Sequence, residues 1–389
     1  YTQWSTYDDP KLAEIYGRTL GPPTGSPEAM QAWLAFVRAA LERYRDLIAH
    51  WEIWNEPNMR AYWGAEPSAT DYGRLVRETA DVIRQIAPQA RILAGSTAGL
   101  VPDFIDGFLS GGAARLIDVV TFHNYAAVPE ERIYRGIEVK ELLKRHDPRL
   151  ELWQGECGYP SHSSTRDYRG RAPWGLNIQA KWLLRQGLTD TYFLGARVSN
   201  YFLLAHSGKR GETPRRSFLS PIDRVLGFPE RGGSRVRTVG VNEKCLLTNP
   251  DLKPKPGFFA YRNLCALIDG RFAPAEVEYR IDVRDAGPFY GIGPEDDAFP
   301  SVPLLASYRS PAGPILAYWL PWYPSEYLPQ LARIDLRAAA VFKEPVLVDL
   351  LNGGVHRLQP PRNGVFQSLP LADYPLAIAE KPQVGIVPA

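Results

Sequence analysis

The sequence predicts an α/β protein in which an N-terminally incomplete (β/α)8 TIM barrel is followed by an all-β sandwich. Predicted helices and strands alternate through residues 1–270, and polar side chains recur directly after the predicted strands. Over residues 275–389 the pattern changes to short β-rich runs separated by proline and glycine turns. We therefore expect a barrel domain over 1–270 and a sandwich domain over 275–389.

The helices are predicted from apolar residues that recur every three or four positions. The first helix begins at Ser26-Pro27-Glu28, where an N-cap serine precedes a proline at the first helical position and an acid in the first turn. Further helices are predicted over 72–86, 103–109, 135–144, 178–186 and 257–268.

The strands are predicted from short apolar runs that lack the alternation of a half-exposed sheet, which is typical of buried parallel strands. They cover 50–54, 91–95, 118–122, 150–153 and the region near 192–201. A doubly wound open sheet is the alternative, but no glycine-rich phosphate-binding turn follows any strand. With five strand–helix units and a sixth strand that could end within 1–7, a closed barrel would lack its first two to three strands.

Residues 206–252 interrupt this pattern, because they are rich in Arg, Gly and Pro and show little periodicity. They suit a long loop after the last barrel strand. We interpret the loop either as a solvated insertion or as a lid on the active-site face, where its arginines would favour an anionic sugar. In the sandwich region, strands are predicted over 304–308, 315–320 and 345–350, with a hairpin signal at Asn352-Gly353.

Composition argues against several classes of function. The 389 residues carry 45 basic and 43 acidic side chains, and a net charge of +2 provides no broad positive surface for nucleic acid. No apolar run is long enough for a membrane span, and residues 1–10 lack the features of a signal peptide. The cysteines, Cys157, Cys245 and Cys265, have neither disulfide-framework nor zinc-site spacing. We expect no metal and no cofactor.

Two glutamates are candidates for catalysis. Glu56 follows a buried strand that contains Trp51 and Trp54, and the resulting desolvation would suit a general acid, although a capping or ion-pair role at a turn fits equally well. Glu156 ends another strand and has glycines on both sides that leave room for a substrate. Two carboxylates at the carboxyl ends of barrel strands three positions apart face each other across the mouth, which is the apparatus of glycoside hydrolysis.

The segment 51–58, Trp-Glu-Ile-Trp-Asn-Glu-Pro-Asn, resembles the W-N-E-P-N acid/base motif of the clan A glycoside hydrolases, especially family 39. The resemblance extends to residues 1–5, 123–125, 150–156, the last helix and the sandwich strands. It implies that Glu56 is the acid/base on strand four, that Glu156 is the nucleophile on strand seven, and that Asn55 binds the sugar 2-hydroxyl. The segment 154–159 differs from the Thr/Ser-Glu-Phe/Tyr pattern of the family.

Other site candidates carry less specific signals. By the resemblance, His123 and Tyr125 contact substrate or orient Glu156, although a structural role for His123 stays open. Trp4 and Tyr201 are candidates to stack on a sugar face, and they would be equally ordinary as core aromatics. Cys157 is expected to be a packing residue, since no basic partner for a thiolate lies near it in the sequence.

These observations predict a retaining glycoside hydrolase that cleaves a poly- or oligosaccharide by double displacement. The alternatives are a catalytically silent carbohydrate-binding protein on a glycosidase scaffold and a transglycosylase with the same two glutamates. We expect a carbohydrate substrate, no nucleic acid partner and no membrane partner. Polysaccharide degradation would favour a secreted or periplasmic location, while sugar, linkage and oligomeric state are left open.

Overall fold

A computed structural model of the chain describes residues 22–125, 128–161, 174–205, 242–248, 251–286, 302–322, 324–327 and 330–385. These ranges form a parallel α/β sheet with its helices and two antiparallel sheets. Trp4 and most of the predicted loop, residues 206–241 and 249–250, lie outside the described residues.

Within the described residues, the α/β part contains five strands and seven α-helices. The strands are β1 His50–Glu52, β2 Arg91–Ala98, β3 Val119–His123, β4 Glu151–Cys157 and β5 Ser199–Tyr201. The helices are α1 Pro27–Tyr44, α2 Arg60–Trp63, α3 Ala69–Ile86, α4 Pro102–Ser110, α5 Ile133–His146, α6 Leu176–Leu188 and α7 Pro256–Leu267. Among the residues described, no helix is both long enough and apolar enough to cross a bilayer.

The five strands pair in the order in which they occur along the chain, and every pairing is parallel. A doubly wound sheet reverses its strand order at a switch point, and this sheet has no reversal. The arrangement is that of a curled half-barrel, so the prediction of an incomplete TIM barrel is confirmed and the open-sheet alternative is wrong. Parallel pairing also brings the carboxyl ends of all five strands to one edge.

The first helix forms for the reasons predicted from its sequence. The Ser26 side chain accepts a hydrogen bond from the amide of Ala29 at 3.1 Å, which caps α1. The buried face of α1 packs against α3, where the indole of Trp33 donates to Thr79 Oγ1 at 2.8 Å. The residues that α1 buries lie three or four positions apart and are Met30, Trp33, Val37 and Leu41.

The prediction of a strand near 192–201 is wrong over its first half. Helix α6 continues into a π-helical turn, Thr189–Phe193, and β5 is confined to Ser199–Tyr201. The apolar run that resembled a strand is helical and packs against the sandwich, where the rings of Phe193 and Trp319 lie 6.2 Å apart. A short apolar run without periodicity fits a buried helical turn as well as a strand, which explains the error.

The second part is a β-sandwich, as predicted. Its strands are β6 Ala273–Pro274, β7 Tyr279–Ala286, β8 Leu304–Ser310, β9 Gly313–Trp319, β10 Ala332–Ala338, β11 Pro345–Asp349, β12 Val355–Arg357, β13 Val365–Leu371 and β14 Leu376–Glu380. One sheet has the order β12-β11-β14-β9-β8-β6, the other β13-β10-β7, and all pairings are antiparallel. The predicted hairpin at Asn352-Gly353 connects β11 to β12.

The half-barrel and the sandwich share one hydrophobic core, which contains residues of α6, α7 and both antiparallel sheets. One buried ion pair crosses this interface and a second lies beside it within the half-barrel, both with almost no solvent exposure. Lys181 Nζ lies 2.7 Å from an Asp373 oxygen, and Arg185 Nε lies 2.7 Å from Glu130 Oε1. The indole of Trp319 in β9 donates to the same Glu130 oxygen at 2.7 Å. Because these charges are desolvated, each depends on its partner.

We predict that Lys181→Met lowers the free energy of unfolding by about 3–5 kcal/mol, because the Asp373 carboxylate would remain buried without its cation. Lys144→Met is the matched control. Lys144 pairs with Glu141 on the surface, where both side chains are more than half exposed, so its loss should change stability by less than about 0.5 kcal/mol. Urea denaturation of both variants measures the difference. Equal effects would show that the buried pair does not join the two parts.

Candidate active site

Glu56 lies on a tight loop that follows β1. Trp54 and Glu56 both have left-handed backbone conformations, with φ values of 70° and 46°, which non-glycine residues adopt rarely. The loop is held by the end of β2. The Glu56 amide donates to Ser96 O at 2.9 Å, and the Asn58 side chain both accepts from the Ala98 amide, at 2.8 Å, and donates to the Ala98 carbonyl, at 3.1 Å. The main chain at Glu56 is therefore fixed, and the residue is 9 % exposed.

A bulge in β2 makes this contact possible. The register between β2 and β3 shifts between Ala94 and Thr97. Gly95 has φ 111°, and a Cβ there would lie 2.5 Å from Thr121 O, so only glycine fits. The bulge presents the Ser96 carbonyl to the loop that carries Glu56.

His123 and Glu156 are neighbours because their strands pair. They are register partners at the carboxyl ends of β3 and β4, and His123 is 2 % exposed. His123 Nδ1 lies 3.0 Å from Glu56 Oε1 and 3.9 Å from Glu156 Oε2. The two carboxylate oxygens thus cannot be farther apart than the sum of these distances, about 6.9 Å. One imidazole nitrogen is therefore hydrogen-bonded to Glu56 and lies within 4 Å of Glu156, the two glutamates that the sequence singled out.

Glu156 is surrounded by groups that affect its charge in opposite directions. The Tyr125 hydroxyl donates a short hydrogen bond to Glu156 Oε1. Partial burial raises the pKa of the Glu156 carboxyl above its usual value, and the positive charge of Lys244 opposes that rise. Burial also raises the pKa of Tyr125, so its hydroxyl stays protonated and remains a donor.

Lys244 is a site residue that sequence reasoning missed. Its ammonium nitrogen lies 4.1 Å from the centre of the Tyr125 ring. It belongs to the segment 242–248, which has no secondary-structure pattern and falls inside the predicted 206–252 loop. No spacing in the sequence connects it to Tyr125 or Glu156, so only the folded chain could identify it.

The remaining predicted site residues have different surroundings. Asn55 precedes Glu56 on the same loop and is half-buried. The Tyr201 hydroxyl donates to Lys244 O at 3.0 Å, and its ring lies 6.3 Å from that of Tyr261, so the protein itself engages both ends of this side chain. Trp4 lies outside the described residues. Cys157 is buried, and burial raises the pKa of its thiol well above the usual value, consistent with a packing residue.

Behind the glutamates lies a buried acid that the sequence did not single out. The Asp190 carboxylate accepts hydrogen bonds from Gln186 Nε2 at 2.6 Å and from Ser199 Oγ at 2.7 Å. The Gln186 carbonyl oxygen in turn accepts from the Tyr159 hydroxyl at 2.6 Å. Asp190 is fully buried, and desolvation raises its pKa to about 7.

In the described ranges, no group of three His, Cys, Asp or Glu side chains is placed to hold a metal ion. The side chains that lie together are Glu56, His123, Tyr125, Glu156 and Lys244. Two carboxylates, one imidazole, one phenol and one ammonium can exchange protons and stabilise positive charge on a bound substrate.

We predict that Asp190 makes stability fall as pH rises. Its folded pKa of about 7 exceeds the ordinary value of 3.8, so the folded chain binds this proton more tightly than the unfolded chain does. The stability contributed by the protonated carboxyl is complete below about pH 4 and is lost as pH rises through 7. Asp190→Asn keeps a neutral side chain of the same shape. The Tm of this variant relative to the wild type should therefore rise between pH 5 and pH 8, and a constant difference would contradict the assignment.

Among known proteins, the chain is similar to several whose structures have been solved. No family model matches the chain, and no curated protein matches it. A monomeric β-xylosidase from Caulobacter crescentus CB15 is 16 % identical, with a TM-score of 0.51 over 90 % of this chain and 74 % of that one. The GH39 enzyme from Xanthomonas axonopodis pv. citri is 17 % identical, with a TM-score of 0.50 over 90 % of this chain and 72 % of that one.

A GH39 β-xylosidase from Caulobacter crescentus is 19 % identical, with a TM-score of 0.46. The match covers 75 % of this chain and 54 % of that enzyme, so the chain spans about half the length of the enzyme. At these identities the comparisons establish the fold. The described residues share the half-barrel and sandwich fold of the β-xylosidase and of the GH39 enzyme.

Proposed function

We propose that the chain carries the catalytic apparatus of a retaining glycoside hydrolase. The observation that supports this most strongly is that Glu56 and Glu156 both approach His123 Nδ1, to 3.0 Å and 3.9 Å. The two glutamates come from the carboxyl ends of β1 and β4, the edge where barrel enzymes bind their substrates. The fold shared with GH39 enzymes is consistent with this activity.

The proposed reaction has two displacements. Glu156 attacks the anomeric carbon while Glu56 gives its proton to the leaving glycosidic oxygen, so one C–O bond forms as another breaks. Glu56, now ionised, then takes a proton from water, and that water replaces Glu156 at the same carbon. The Tyr125 hydroxyl, which donates to Glu156 Oε1, orients this carboxylate for attack. Asn55, next to Glu56, is the proposed partner of the sugar 2-hydroxyl.

The spacing of the carboxylates is compatible with the proposed retention. Retaining enzymes separate the two groups by about 5–5.5 Å, and inverting enzymes by about 6.5–9.5 Å to admit a water. Glu56 Oε1 and Glu156 Oε2 lie no more than about 6.9 Å apart, a limit that admits the retaining separation and the lower end of the inverting range. The configuration of the azide products described below tests the choice of retention.

Hydrolysis of aryl glycosides tests the proposal, beginning with 4-nitrophenyl β-D-xyloside because the structural neighbours include a β-xylosidase. We expect Glu156→Gly and Glu56→Ala each to lower kcat/KM by about 10³-fold or more, since each removes a group that acts on the reacting atoms. Azide should restore turnover of Glu156→Gly with an inverted glycosyl azide as product. With Glu56→Ala it should give a retained one.

Glu151→Gln is the matched control, because Glu151 is a glutamate at the opposite end of the same strand and pairs with Arg91 at 3.1 Å. It should keep wild-type activity. If the two variants gave azide products of the opposite configurations, Glu56 would be the nucleophile and Glu156 the acid/base. Tight sugar binding without turnover would favour a silent binding protein, and products longer than the substrate would favour a transglycosylase.

A further inference from the structure

The segment 242–248 passes over the carboxyl end of β4 and is held there through the main chain of Lys244. The Lys244 carbonyl accepts hydrogen bonds from the Tyr201 hydroxyl at 3.0 Å and from Gln179 Nε2 at 3.3 Å. The Lys244 amide donates to Asn242 Oδ1 at 3.1 Å. Hydrogen bonds from β5 and α6 thus fix the main-chain position of this lysine.

The Lys244 side chain extends from that point toward the nucleophile candidate. Its stem passes Gly158, where a Cβ would come within 3.1 Å of Lys244 Cδ, so a larger residue at position 158 would displace the stem. The ammonium reaches the face of the Tyr125 ring, 4.1 Å from the ring centre. Tyr125 in turn donates its hydroxyl proton to Glu156.

The cation lies close to Glu156 without neutralising it. Among the described side chains, no carboxylate forms a direct ion pair with Lys244. The negative charge of Glu156 favours the protonated form of Lys244, while burial lowers the pKa of Lys244. A cation on the face of a phenol ring withdraws electron density, which makes the hydroxyl a stronger donor.

We propose that Lys244 is a positioning residue for the glycosidase reaction, which holds the Tyr125 hydroxyl against Glu156 and keeps the attacking carboxylate ionised. This inference rests on the proposed function. Burial alone would favour a protonated Glu156, which cannot attack. The positive charge of Lys244 counteracts that effect.

The other titratable groups around Glu156 do not replace this charge. Glu56 and Glu52 are acids, and Glu52 accepts from Thr121 Oγ1 at 2.5 Å on the inner face of the sheet. Burial raises the pKa of the Tyr125 hydroxyl and of the Cys157 thiol, which are therefore neutral. His123 Nδ1 lies closer to Glu56 than to Glu156, at 3.0 Å against 3.9 Å.

The test compares Lys244→Met, Lys244→Arg and the control Lys253→Met, which removes an exposed lysine of the same region that pairs with Asp251. In Lys244→Met, the acid limb of the pH profile of kcat/KM should move toward higher pH by roughly 0.5–1 unit. Lys244→Arg and Lys253→Met should keep the wild-type limb. In a Tyr125→Phe background the Lys244→Met shift should shrink, because the phenol carries part of the effect.

A measurement that needs no turnover separates this inference from the proposed function. In protein with ¹³C-labelled glutamate carboxyls, NMR titration follows Glu156 directly, and Glu156→Gln assigns its signal. The midpoint should rise in Lys244→Met by the same roughly 0.5–1 unit, while thermal unfolding confirms that the variant is folded. An unchanged midpoint or an unchanged acid limb would overturn the role of Lys244. Absence of turnover by the wild type on every glycoside would instead overturn the proposed function.

Discussion

Parallel pairing fixes the direction of all five strands in the first sheet, and the candidate site depends on that direction. The carboxyl ends of all five strands lie at one edge of the sheet. The loop after β1 and the ends of β3 and β4 therefore meet there, although more than 60 residues separate Glu56 from His123. Pairing alone does not aim the side chains. The bulge at Gly95 turns the Ser96 carbonyl toward the Glu56 amide, and the register of β3 on β4 places His123 beside Glu156. The strained loop conformation at Glu56 persists because hydrogen bonds from β2 hold it.

The sandwich supports this edge from behind. Helix α6 carries Lys181 and Arg185, whose carboxylate partners bind the helix to the sandwich and to the start of α5, and it also carries Gln186, which contacts Asp190 and Tyr159. One helix therefore has a charged, fully paired face toward the sandwich and a polar face toward β4 and β5. Removing the partner of a buried polar group lowers the stability of the folded protein, so these paired groups hold α6 firmly in place beside the site.

Much of the fold could be predicted from the sequence, because periodicity, caps and short apolar runs are local signals. The position of the two glutamates at one edge of the sheet could also be predicted from the strand ends, while their catalytic roles stay a prediction. The π-helical turn at Thr189–Phe193 could not, because packing against Trp319 decides between helix and strand there. Lys244 and Asp190 were missed for a related reason. Their importance comes from contacts with Tyr125 and Ser199 that exist only after distant segments pack together.

As the proposed nucleophile, Glu156 should become covalently attached to a sugar during the reaction. An activated 2-deoxy-2-fluoro-xyloside tests it most directly, because the fluorine slows the second displacement and allows the intermediate to accumulate. Mass spectrometry of the intact protein and its peptides should find one added fluorosugar, attached to the peptide that contains Glu156, and none in Glu156→Gly. Turnover of ordinary xylosides without any labelled peptide, or a label on another carboxylate, would contradict the account.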